Sequence, residues 1–99
     1  MRRITYSGTV FLTGNRIAEA FVAYARALAR RGLADTVSLP TRTSAGGTHV
    51  IDVLVGPASQ LVSEPWDDGD DFGREIEDAK KVEQIERLTV QLNESDGSA

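Results

Sequence analysis

THVIDVLVGPASQLVSE, Thr48–Glu64, carries the clearest β pattern in the chain. Ile51, Val53 and Val55 share one parity, and Val50, Asp52 and Leu54 the other. This is the alternation of a strand with two distinct faces. Gly56-Pro57-Ala58-Ser59 interrupts it, and Gln60–Ser63 resumes it more weakly. The interruption reads as a turn and not as a phosphate cradle. A cradle needs several Gly so that amides converge at the start of a helix, with a Lys to meet the charge. Here there is one Gly, Pro57 removes an amide, no Lys follows, and the next residues are strand-like. Pro at the second position of a turn is ordinary hairpin chemistry. The stretch is read as scaffold.

Upstream, Ile4-Thr5-Tyr6 and Thr9–Leu12 flank Ser7-Gly8, which predicts a hairpin with a two-residue turn. One long strand through Gly8 is the competing reading. Ile17, Phe21, Tyr24 and Leu28 then recur at helical spacing, with Arg16, Glu19, Arg26 and Arg30 opposite them. The helix is expected over Asn15–Arg31. Thr13 or Asn15 supplies the cap, Arg30 and Arg31 suit the negative end, and Gly32 lies just beyond. Asp35–Pro40 reads as a short strand that Pro40 closes, and a polar loop follows it. The body is therefore expected to be an α+β domain of order β-β-α-β-β-β over residues 1–64. One helix lies on an antiparallel or mixed sheet, around a core of Phe11, Ile17, Phe21, Tyr24, Leu28, Val37, Leu39, Ile51 and Val53.

Charge divides the chain. Residues 1–64 hold seven Arg against four acids, and residues 65–99 hold four bases against eleven acids. A mildly basic body thus precedes a strongly acidic tail, a split that suits an interaction segment. Residues 65–73, rich in Asp and Gly, read as an acidic linker. Residues 74–92 read as a second amphipathic helix, with a stripe that drifts around the axis, and residues 93–99 as a disordered end.

Chemistry is sparse. There is no Cys and a single His, so no zinc set, thiolate nucleophile or disulfide framework is available. His49 opens a strand, and Asp52, three residues on, falls on the opposite face, so the two cannot orient each other. Asp67, Asp68, Asp70 and Asp71 cluster, but a calcium loop begun at Asp68 meets Phe72 and Ala79 at its fifth and twelfth positions, where ligands belong. No cofactor, metal or catalytic residue is assigned, and the chain is expected not to be an enzyme. No run of signal-peptide length opens it and none approaches membrane-helix length. With the missing Cys, this predicts a protein of the reducing cytoplasm.

What remains is contact with other molecules. One helix covers one face of a sheet, which leaves Val10, Val50, Leu54 and Val62 on the other. A body of about 64 residues buries only about 60% of its unfolded surface, so the C-terminal helix, a second copy or a partner is expected there. The preferred reading is a non-enzymatic protein-interaction module, able to dimerise, that recruits a basic partner through its acidic tail. Trp66, Ile76, Val82, Ile85, Leu88 and Leu92 would make that contact. The runner-up is an antitoxin-type regulator, in which Arg16, Arg26 and Arg30 help a basic body hold nucleic acid while the tail neutralises a toxin.

Overall fold

The computed structural model describes residues 1–42, 47–58, 60–66 and 75–97, the side chains of 95–97 excepted. In chain order the elements are β1 (Arg2–Tyr6), β2 (Thr9–Thr13), α1 (Asn15–Arg31), β3 (Asp35–Arg42), β4 (Thr48–Val55), β5 (Leu61–Pro65) and α2 (Ala79–Gly97). The strands form one antiparallel sheet in the order β4-β3-β2-β1-β5. The protein is a small α+β domain.

Ser7 and Gly8 both adopt positive φ, 49° and 83°, so the first turn is a tight hairpin and β1 and β2 are two strands. α1 spans the residues its periodicity marks out. Its last turn closes on Gly32, in the left-handed region, with Gly32 N–H donating to Ala29 O and Leu33 N–H to Leu28 O. Glycine is favoured there because a Cβ would crowd the following carbonyl.

Three local expectations are corrected. Neither Thr13 nor Asn15 caps α1: the capping position is Gly14, which has no side chain to offer. Thr13 is buried and its hydroxyl donates to Pro40 O at 2.7 Å instead. Pro40 does not end its strand, since β3 continues to Arg42 with Pro40 opposite Val50. Pro40 is tolerated because β2 and β3 share only the Leu12–Arg42 pair, so no neighbouring strand needs the amide that it lacks. Finally, β4 and β5 do not form a hairpin. β4 pairs only with β3, whereas β5 crosses to the far edge and pairs with β1, from Tyr6 opposite Leu61 to Arg2 opposite Pro65. β5 also begins at Leu61 rather than at Gln60.

The sheet is strongly coiled. β1 and β4 are separated by two strands, yet the Tyr6 hydroxyl donates to the Leu54 carbonyl. Tyr6 shares its parity with the buried Ile4, so the sheet curls toward the helices. Its concave side supplies Ile4, Phe11, Val37, Leu39, Val53 and Val55, which enclose Ile17, Phe21, Tyr24 and Leu28 of α1. Ile51, expected in the core, is only half-buried and packs at its margin.

The Tyr24 hydroxyl donates to Asp35 Oδ2 at 2.6 Å and ties α1 to the start of β3. Burial, then the hydrogen bond to Asp35 and its negative charge, push the phenol up to about 12 from an ordinary 10.0. The fold therefore favours the protonated phenol. Its contribution is complete below pH 10 and is lost as pH rises through about 12. An alkaline titration followed by urea unfolding is expected to show this loss in the parent and a flatter profile in Tyr24→Phe.

Candidate functional site

The tail comes first, because the sequence places the contact residues there. α2 starts at Ala79 rather than at residue 74, since Asp78 Oδ1 accepts the Lys81 amide at 3.0 Å and sets the first turn. It also runs past residue 92 to Gly97, over much of the segment expected to be disordered. The acidic stretch 67–71, with Phe72, lies outside the described residues.

α2 packs along α1 on the concave side of the sheet. Val82 and Ile85 are buried in the common core, and Ile76, Leu88 and Leu92 pack against it. Five of the six residues expected to receive a partner therefore face the protein's own helix. The physical reason is that α1 is amphipathic over more than one flank. Ile17 and Ala20, both buried, lie on the flank of α1 beside Val82, and a shallow surface cleft remains where Ala20 and Ala23 meet Glu86, Thr89 and Val90. Body and tail share a single core, so residues 1–64 do not bury it alone.

Glu75 fastens this arrangement. Its Oε1 accepts from the Met1 ammonium at 2.7 Å, and its Oε2 accepts from the Asn15 amide, the first of α1. A carboxylate from the tail thus does what no local side chain does. It satisfies a free amide and places negative charge at the positive end of the helix. Burial pushes this carboxyl up, but the hydrogen bonds from the ammonium and the amide, with the nearby positive charges of the N-terminus and Arg42, bring it below the usual carboxylate range. At the other end of α1, Arg31 Nη1 donates to Leu92 O at 3.1 Å.

The sixth residue, Trp66, is different. It is 37% exposed, next to β5, and Arg3 lies over its ring at 5.0 Å from the centroid. Arg3 also pairs with Glu64, its cross-strand neighbour. Beside this row, on the convex face, Val10, Thr5 and Val62 stand in register on three adjacent strands, with both valines 55% exposed. Further along the same face, Val50 is 70% and Leu54 64% exposed. Neither helix covers this side. These residues were legible by strand parity, but their grouping into a Val10–Val62 row beside Trp66 depends on β5 reaching β1.

The remaining candidates are scattered. Arg16, Arg26 and Arg30 are all exposed on α1. Arg16 borders a pocket with Glu75, Glu77 and Asp78, whose charges oppose a phosphate. His49 and Pro57 are exposed, and Asp52 accepts from the Ser38 hydroxyl at 2.6 Å without approaching His49. Replacing either residue is expected to be mild. Pro57→Ala should lower stability by less than about 1 kcal/mol, mainly by loosening the unfolded chain, and His49→Asn should leave the urea midpoint within error. A fall in melting temperature of more than about 8 °C for Pro57→Ala, or of several degrees for His49→Asn, would contradict this. Among the described residues no group of His, Asp and Glu is placed to hold a metal ion, and no helix is long and apolar enough to cross a membrane. Compared with known protein families, curated proteins and solved structures, the chain matches none.

Proposed function

We propose that the chain is a non-enzymatic protein-interaction module that meets its partner with the convex face of the sheet. The observation that carries this reading is the uncovered Val10–Thr5–Val62 row bordered by Arg3, Glu64 and Trp66. Contiguous exposed apolar groups of this kind mark contact sites, above all when polar residues rim them. Trp and Arg are the residue types that dominate binding energy at interfaces.

The sequence after Trp66 adds a preference for partner charge. α2 itself is close to neutral, with Lys80, Lys81 and Arg87 against Glu83, Glu86, Glu94 and Asp96. The acids of the tail are concentrated instead in residues 67–78, where seven stand against Arg74 alone. They follow Trp66 directly in the chain, which suits a partner whose rim is basic. Recruitment through the α2 stripe would first require Val82 and Ile85 to leave the core, and we set that route aside.

The test is affinity capture followed by titration of the purified pair. The parent is expected to bind one partner reproducibly. Val62→Glu and Trp66→Ala should each weaken that binding at least about tenfold while leaving the circular dichroism spectrum unchanged. Equal binding by all three proteins would refute the assignment of this face.

A further inference from the structure

β4 is an edge strand of unusual character. It runs for eight residues, Thr48–Val55, and its outer side pairs with no strand among the described residues. Natural edges are blunted by Lys, Pro, bulges or brevity, because an open row of amides and carbonyls will pair with any extended chain. β4 has neither Lys, Arg nor Pro, and its one acid is Asp52. The opposite edge, β5, is five residues long and ends in Glu64-Pro65.

The direction of the free main-chain groups follows from β3. Backbone pairing alternates between residues that exchange hydrogen bonds and residues that do not. Pro40 has no amide to exchange, so its partner Val50 belongs to the second class, together with Asp52 and Leu54. The carbonyl of Pro40, turned to accept from Thr13, and that of Leu54, turned to accept from Tyr6, agree. The amides and carbonyls of Thr48, Val50 and Asp52 therefore point outward from the sheet.

We infer that the occupant of this edge is a second copy of the chain, joined β4 to β4 about a two-fold axis at Val50. The choice of copy and register rests on self-complementarity. Centring the axis on Asp52 would set two carboxylates directly opposite each other, which is unfavourable. Centring it on Ile51 would recruit Leu54, whose carbonyl the Tyr6 hydroxyl already occupies. Centring it on Val50 avoids both. Val50 then meets its own copy on the convex face, and Asp52, with only Oδ1 engaged by Ser38, faces the Thr48 hydroxyl on either side. The same patch is used by both copies, so the contact closes as a dimer and cannot extend into a fibre. The resulting ten-stranded sheet covers the most exposed valine of the protein. This surface lies on different residues from the Val10–Val62 row, so the two readings stand or fall separately.

Sedimentation equilibrium on the full chain tests the inference. The parent is expected at twice the 10.7 kDa chain mass. Val50→Lys should sediment at the single-chain mass with unchanged circular dichroism, while Val62→Lys remains dimeric. The chain has no Cys, so Val50→Cys offers a second readout. On mild oxidation it should form a covalent dimer, and Val10→Cys should not. A parent that stays at the single-chain mass at the highest concentration reached would overturn the inference, as would a dimer that survives Val50→Lys or fails to cross-link through Val50→Cys. Loss of partner capture in Val62→Glu with a monomeric parent would leave the convex-face reading intact and remove only the dimer.

Discussion

Phe21→Ala is expected to cost about 3–5 kcal/mol, which is most of the stability that a domain of this size has. Phe21 is fully buried and is the largest such side chain among the described residues. It sits at the centre of α1, where the coiled sheet closes on the helix, among side chains drawn from four strands. A coiled sheet closed on its two helices cannot collapse into the space of a lost ring without uncoiling. The cavity cost should therefore add to the transfer cost with little relief. Urea unfolding would register the change directly. In a domain of this length each kcal/mol moves the melting temperature by about 4–8 °C, so a variant melting within a few degrees of the parent would refute the central role of the ring.

Gly14→Ala is the second large effect, and its cause is a neighbour 62 positions away. The backbone of Gly14 is ordinary, with φ at −66°, so conformational freedom is not what the site requires. What it requires is room. A Cβ there would fall well inside contact distance of the Ile76 carbonyl oxygen and would also press on its carbon at 3.0 Å. Both partners are main chain, so no side chain can swing aside. Overpacking of this kind costs about 1–3 kcal/mol where the surroundings can yield. The part free to yield is the segment from Glu75 to Asp78. Its retreat would take Glu75 away from the Asn15 amide and draw Val82 and Ile85 out of the core. Amide exchange is expected to show protection lost across residues 82–92 while the strands keep theirs. Unchanged protection in α2 would mean that the segment accommodates the methyl group, and the close approach would then have no structural consequence.

Where the determinants were local, sequence and structure agree. α1 was readable because its core side chains repeat every three or four residues and Gly32 stops it. The first hairpin was readable because Ser7-Gly8 suits the turn that matches strand twist. The exposed valines followed from parity alone. The misreadings share one origin, which is a partner distant in the chain. Nothing near Gly14 shows that its missing cap is supplied by Glu75. Nothing in Gly56–Gln60 shows that β5 will bypass β4 for the free edge of β1, a choice that depends on β1 having one side still open. The stripe of α2 looked thin and drifting because only Val82 and Ile85 need to be deep. The flank of α1 beside Val82 mixes Arg16, Ile17, Glu19 and Ala20, which carry little pattern of their own. Trp66 could be picked out as an exposed aromatic, but the valine row beside it could not be assembled until the sheet order was known.

The links that fasten the molecule also set the order in which it can be finished. Arg2 to Ser63, Arg3 to Glu64, Asn15 to Glu75 and Arg31 to Leu92 each join residues 60 or 61 positions apart. Contacts of such long range close large loops before they are rewarded, and they slow folding relative to domains built from local pairs. On a ribosome the first strand leaves the exit tunnel with one side unpaired and stays so until residues 61–65 follow. The helix behind it waits longer, for the carboxylate that completes its first turn and for the two apolar side chains that seal its flank. Synthesis adds about 5–20 residues each second, so this nascent intermediate persists for seconds with that flank open. Of the elements described, the second helix is made last, and the helix it completes is made third.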